Sequence, residues 1–382
     1  MTDDSLPEPD RIEGAPHPRE TPRLFGQSAA EAAFLDAYAT GRLHHGWLLT
    51  GPRGVGKATL AWRIARFLLA TPPADAGGGL FGDPPPPPDS LDIAADHPVA
   101  RRMLAGAEPG LFVLRRGAND KGDRLSADIR VDEVRKLKSF LHLSAADGGR
   151  RVVIVDAADE LNVAAANALL KLLEEPPAGA TLLLVAHQPS GLLPTIRSRC
   201  RELRLAPLRP DDLAQALLQA GATAADTGAL SVLAAGSAGE AIRLLNLDGL
   251  DNYARIVSLL ASLPRLDRQA ALALADSAAQ RGAGESRLGL LLMLFDLFLA
   301  RLARAGITGT TGPEAAPGEA ALFARLSPGP RAARTWADLH QTLGARGRHG
   351  QSVNLDPAAL LLDMILRIDQ TAGQLALSEA GP

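Results

Sequence analysis

Cysteine is almost missing from this chain, whose 382 residues hold a single one, Cys200. One thiol can form neither an intrachain disulfide nor a cysteine-rich zinc site, and a reducing, cytoplasmic setting is expected. Aromatic residues make up only 4% and are not interleaved with basic ones, so a stacking platform for single-stranded nucleic acid is not expected. Positive charge is not in excess: the formal net charge is −3, which excludes a cationic coat for DNA. Lysine is scarce too, with five (57, 121, 136, 138 and 171), so that 35 of the 40 basic residues are arginine; single arginines therefore carry little weight. Long apolar runs are also lacking. The most apolar stretch, Leu288 to Ala300, spans 13 residues and is broken by Asp296, short of the roughly 20 needed to cross a bilayer. It reads as a buried helix, and no membrane contact is expected. Met1 to Thr21 is acidic and proline-bearing without an apolar core, unlike a secretory signal, and residues 1–20 are expected to form a flexible tail.

What is present is a globular composition, with 46% hydrophobic and 22% charged residues. At about 150 residues per domain, the length predicts two or three domains. Short apolar runs at Gly46–Thr50, Leu111–Leu114, Arg151–Val155, Thr181–Ala186 and Arg201–Leu205 read as strands. Helical patterns separate them at Lys57–Ala70, Val131–Ser144 and Val163–Leu173. Near-continuous apolar strands alternating with helices predict an α/β domain whose parallel sheet is covered on both faces. A Pro/Gly-rich insertion at 71–90, with the Pro84–Pro88 run, is expected to be extended. No strand pattern follows Pro207. Helices at 208–248, with Asp211 or Asp212 as a cap, precede a longer helical group from 249 to the C-terminus, interrupted by a loop near Thr308–Gly318. The last helix starts with Asp356 at the N-cap and Pro357 in the first turn.

The first strand runs directly into Gly51-Pro52-Arg53-Gly54-Val55-Gly56-Lys57-Ala58-Thr59, which opens a helix. This is the phosphate-loop pattern in its proper context: glycines let backbone N–H groups approach phosphate oxygens, and Lys57 meets the outer phosphates. Ala58, however, stands where a hydroxyl should ligate Mg²⁺. Thr59 lies one residue further along the helix, rotated by about 100°. The strand Val152-Val153-Ile154-Val155-Asp156 ends in a carboxylate able to hold Mg²⁺ through water, but Ala157 follows where a water-positioning glutamate is expected. Asp159 and Glu160 read as a solvated helix start, and His187 as a strand-end surface residue. On sequence alone Arg199, among Arg197, Arg201 and Arg204, reads as a surface arginine.

Phe25-Gly26-Gln27, His44-His45-Gly46-Trp47-Leu48-Leu49-Thr50-Gly51-Pro52, Val155-Asp156, Asn167 through Leu172-Leu173-Glu174-Glu175-Pro176-Pro177, and Ser198-Arg199-Cys200 together resemble the clamp-loader AAA+ family. The similarity is dense from Leu24 to Pro207 and diffuse beyond. The resemblance implies an AAA+ P-loop domain at 21–207, a small helical lid at 208–248 and an all-helical collar at 249–382 that assembles a hetero-pentameric ring. Its neighbours would be motor subunits of the tau/gamma type and a delta-type subunit, acting through the complex on a sliding clamp and primed DNA. The departures at Ala58 and Ala157 resemble the family's stator subunit, which does not hydrolyse ATP itself. In that subunit the arginine of Ser-Arg-Cys, matching Arg199 between Ser198 and Cys200, reaches a neighbour's ATP as an arginine finger. The lid's nucleotide-sensing arginine falls at about Gly239, so a third contact is missing. The four-cysteine zinc module of many relatives is absent, and no cofactor is required, although ATP or ADP in the degenerate loop stays open. A motor-type ATPase and a nucleotide-binding, non-hydrolysing subunit are the alternatives.

Overall fold

The computed structural model describes residues 8–41, 43–71, 88–142, 149–224, 226–279 and 287–379. Most of the expected insertion, 72–87, and the first seven residues of the expected tail lie outside them. The chain divides into two compact units: residues up to Thr223 with Gly236–Ile242, and Ala224–Ala235 with Arg243 onward. The stretch read as a lid is thus split between the two units.

The first unit is built on five parallel strands: β1 (Gly46–Thr50), β2 (Leu111–Leu114), β3 (Arg151–Asp156), β4 (Ala180–Val185) and β5 (Arg201–Arg204), in the order β2-β3-β4-β1-β5. Alternate residues face opposite layers, as the two-residue period of a strand requires. Trp47, Leu49, Val152, Ile154, Leu183 and Val185 pack against α1 (Ser28–Ala39) and α2 (Lys57–Ala70). Leu48, Val153, Val155, Leu182 and Leu184 pack with residues of α4 (Val131–His142) and α5 (Val163–Glu174), the short α3 (Pro98–Leu104) lying with the first layer. Burying each such aliphatic side chain stabilises the fold by about 1.5–3 kcal/mol, which explains why the strands are apolar almost throughout. Helix α5 starts where Asn162 accepts the Ala165 N–H at 2.9 Å. Helix α1 was not anticipated from sequence; Phe34 anchors it, fully buried with its ring 5.1 Å from Trp47.

The described part of the expected flexible tail is instead folded against this unit. His17 is fully buried, lies edge-on to Trp62 and donates through Nε2 to Asp10 Oδ2 at 3.0 Å; its Nδ1 accepts the Arg19 N–H, which fixes the tautomer. Asp10 also accepts from Arg115 Nη1 at 2.6 Å, and Glu8 pairs with Arg19 at 2.8 Å. Prolines 9, 16 and 18 limit the chain entropy lost on docking, so what reads as disorder in composition is a pre-shaped strap. After β5, which follows the short α6 (Pro194–Arg197), this unit closes with α7 (Pro210–Gln219) and the first turn of α9 (Ala238–Asn246). Gly239 lies inside α9.

The second unit is helical among its described residues: α8 (Thr227–Ala234), the end of α9, α10 (Gly249–Ala261), α11 (Arg268–Ala278), α12 (Arg287–Thr308), α13 (Glu319–Leu326), α14 (Pro330–Ser352) and α15 (Pro357–Glu379). The apolar stretch in α12 is a core element, with Leu290, Leu291, Leu294, Phe295 and Phe298 buried. Asp356 caps α15 by accepting the Ala359 N–H at 2.8 Å, and Leu360, Leu361, Met364, Ile365 and Ile368 form its buried face. The loop after Thr308 is fastened by Glu319, which accepts from Arg301 Nε and Nη2 at 2.9 Å each, from the Ala315 N–H at 2.7 Å and from the Tyr253 hydroxyl. Among the described residues no single helix is long and apolar enough to cross a membrane.

Candidate functional site

The loop from Gly51 to Gly56 bridges β1 and α2, and its three glycines hold φ of 138°, 76° and 103°, where side chains are strained. At two of them space is as decisive as torsion. A Cβ on Gly51 would stand 2.4 Å from the Leu205 carbonyl oxygen, and one on Gly54 would stand 2.3 Å from Ser237 Oγ. Behind the loop Gln27 acts as a clasp: its Nε2 donates to the Val55 carbonyl at 3.2 Å and to the Ala206 carbonyl at 2.8 Å, while its Oε1 accepts the Ala206 N–H. The Phe25-Gly26-Gln27 signature therefore ties the loop to the chain leaving β5.

Lys57 is buried, and its Nζ donates to the Gly51 and Pro52 carbonyls at 2.7 and 2.6 Å. Burial brings its pKa down to about 8, against the opposing charge of Asp156. Burial pushes the Asp156 carboxyl up to about 7, reinforced by Asp10 and Glu160 and opposed by Lys57. The loop, Ala58, Thr59, Asp156 and Ala157 share a cavity of about 200 Å³ whose wall also includes Asp10, Ile12 and Pro16 of the N-terminal strap. His187 belongs to this wall and not to the outer surface; burial, with the Lys57 charge, lowers its pKa to about 4, and its buried Nδ1 has no protein partner. Asp159 and Glu160 are likewise engaged rather than solvated. Asp159 accepts the N–H groups of His187 and Gln188 at 3.0 and 3.1 Å, and Glu160 pairs with Arg116 at 2.9 Å.

At the position read as the missing lid arginine, Gly239 donates its N–H to the Gly54 carbonyl at 3.0 Å, and a Cβ there would stand 2.9 Å from Gly54 Cα. The two glycines touch backbone to backbone, leaving no room for a side chain. The donor set accordingly does not fit a hydrolysable magnesium nucleotide: the hydroxyl ligand is Ala58, the water-positioning residue is Ala157 and the lid arginine is Gly239. What survives is the loop's glycine pattern with Lys57 and the Asp156 carboxylate.

Ser198, Arg199 and Cys200 are not part of that cavity wall. They follow α6 and lead into β5, and each does something different. Ser198 Oγ donates to the Thr195 carbonyl at 3.1 Å, closing the helix end. Cys200 packs inward near Gly46, where a Cβ would stand 3.3 Å from its Sγ; burial pushes its thiol up to about 12, so it is a neutral packing group, not a nucleophile. Arg199 turns outward. Its Nη1 donates to the Thr195 carbonyl at 3.0 Å and its Nη2 pairs with Glu174 Oε1 at 3.0 Å. No sequence pattern points to the Glu174 partnership, to the Asp10–His17–Arg115 cluster or to the clasp formed by Gln27. Each joins residues far apart in the chain.

A parallel sheet in the order found here, with a phosphate loop between its interior strand β1 and α2, defines a P-loop domain of the AAA+ class. The family model described as "DNA polymerase III, delta subunit" matches residues 26–209. The DNA polymerase III subunit delta' of Escherichia coli is 32% identical over 337 residues, covering 87% of this chain and 91% of that one. The subunit delta' of Pseudomonas aeruginosa is 43% identical over 156 residues, covering 41% of each chain, so the match spans under half the length of that relative. The subunit gamma of Buchnera aphidicola is 28% identical over 240 residues, covering 60% of this chain and 58% of that one. The chain belongs to the delta' family of DNA polymerase III subunits, which are of clamp-loader type.

Proposed function

We propose that this protein is a stator-like subunit of the replicative clamp loader. It would complete a hetero-pentameric ring with motor subunits of the tau/gamma type and a delta-type subunit, and help ATP-dependent loading of a sliding clamp onto primed DNA. Residues 21–207 form the AAA+ domain in this scheme, 208–248 the lid and 249–382 the collar. The observation that carries the reading is a division of labour within the first unit. The site around its own loop lacks three groups used in hydrolysis, at Ala58, Ala157 and Gly239, while Arg199 stands at a half-exposed corner beside a helix end and the half-buried Cys200 thiol.

A guanidinium directed at a neighbour's γ-phosphate neutralises charge that develops as the phosphoryl group transfers, and is worth about 10³-fold or more. Arg199→Ala in the reconstituted loader is expected to remove that stimulation from the site it faces while the ring still assembles. ATPase turnover equal to wild type in an assembled ring would refute the assignment. The intact glycine pattern and Lys57 favour one variant of this reading, in which the chain holds ATP or ADP without turning it over. Nucleotide co-purifying with the isolated chain, measured after denaturation, tests it.

A further inference from the structure

We infer that Glu174 is a positioning residue for Arg199: a resting carboxylate that a neighbouring subunit's triphosphate must outcompete. The inference rests on the arginine-finger reading and adds a component to it. Glu174 is the last residue of α5 and the first acidic residue of the Glu174-Glu175-Pro176-Pro177 run, a motif to which the phosphate loop gives no role. It has no part in the core, since its side chain is 42% exposed, and its partner is the Arg199 guanidinium, 37% exposed, at 3.0 Å.

Two features make this pair a device for orientation. Arg199 is fixed at its other edge by the Thr195 carbonyl, 3.0 Å from Nη1, and at its backbone by the inward-packed Cys200, so its side chain has a defined starting direction. The pair is also open to water, where ion pairs are weak. It can therefore hold the guanidinium when nothing lies opposite and yield to a multiply charged phosphate, for which a planar guanidinium has two parallel donors. With a diphosphate opposite, the γ-oxygens that would draw Arg199 away are missing, and the arginine returns to Glu174. The carboxylate thereby sharpens the response of the corner to a triphosphate over a diphosphate.

The test is steady-state ATPase of the reconstituted loader containing Glu174→Gln, with KM and kcat separated, beside Arg199→Ala and the double variant. Removing a weak competitor is expected to lower the KM for ATP by about two- to fivefold, the range of an exposed ion pair, and to strengthen inhibition by ADP by a smaller factor, because a diphosphate engages the freed arginine less, with little change in kcat. In the Arg199→Ala background the same substitution is expected to change neither quantity, because the carboxylate acts only through the arginine. Unaltered KM and ADP inhibition in Glu174→Gln, or an equal effect in both backgrounds, would overturn the inference while leaving the finger intact. An Arg199→Ala loader with wild-type turnover would overturn the finger and this inference with it.

Discussion

Asp10→Ala should release the N-terminal strap from the phosphate-loop cavity. The Asp10 carboxylate is 1% exposed and takes hydrogen bonds from Arg115 Nη1 at 2.6 Å and from His17 Nε2 at 3.0 Å. A bond to a charged partner contributes about 1.5–3 kcal/mol. Arg115 keeps Glu8 at 3.4 Å and is 30% exposed, so water and Glu8 return much of what it loses. His17 is fully buried and cannot recover its acceptor that way; an unsatisfied buried donor costs about 1–3 kcal/mol. Relief from burying a carboxylate offsets part of the sum, leaving about 2–3 kcal/mol, or roughly 30- to 150-fold in the strap's opening equilibrium. Amide hydrogen exchange resolved to residues 8–20 measures this directly, because local opening is expected well below global unfolding. Exchange in that segment accelerated less than about threefold would refute the reasoning. The pH dependence gives a second reading. Burial alone would raise the Asp10 carboxyl, but its bond to His17 and the nearby Arg115 charge hold it below the usual range. A folded value below the unfolded one, near 3.9, means the tie is complete above that pH and is lost as pH falls through the folded value. Asp10→Ala should flatten this acid-side loss.

Asp156→Asn should change the pH profile of stability in the opposite sense. The folded carboxyl titrates at about 7, above its unfolded value, so the folded chain binds more protons between about pH 4 and 7 and wild-type stability falls as pH rises across that window. Relative to the variant, wild type should lose ~2–4 kcal/mol between pH 5 and 8, seen in urea midpoints; parallel profiles would contradict this. In the second unit, Glu319→Ala leaves the buried Tyr253 hydroxyl without its acceptor and Arg301, 15% exposed, with only the Pro313 carbonyl, which should cost about 2–4 kcal/mol and lower Tm by about 4–16 °C in a thermal scan; a loss under about 1 kcal/mol would show the network is not holding the loop after Thr308.

The five strands and their intervening helices were legible because burial on both faces leaves an apolar run that periodicity detects, as in Val152–Val155. The end of α12 at Thr308 and the start of α15 at Pro357 were legible because capping and loop chemistry is local. Helix α1 was missed: its alanine-rich sequence carries little amphipathic signal, and only Phe34 meeting Trp47 shows why it docks. The strap was misread for a related reason. Its prolines and acidic residues look like disorder until Arg115, more than a hundred residues away, arrives beside Asp10. At the site, deletions were the readable part, since Ala58 and Ala157 announce what they cannot do. That Gly239 is a contact rather than a mere gap, that Asp159 is spent on the N–H groups of His187 and Gln188, and that Arg199 rests on Glu174 all depend on where the chain folds back.

The clasp at Gln27 has a mechanical meaning. Strand β5 begins two residues after Arg199 and ends beside Leu205 and Ala206, where Gly51 and Gln27 grip it. Four residues at about 3.3 Å each make a stiff beam of about 13 Å, with the arginine at its free end and the phosphate loop as its seat. A force applied at Arg199 is therefore transmitted into the loop, and from there through the Gly54–Gly239 contact into α9. A loop followed by Ala58 in place of a magnesium ligand has a second reason to keep its glycines, because they form the notch in which the beam is clamped.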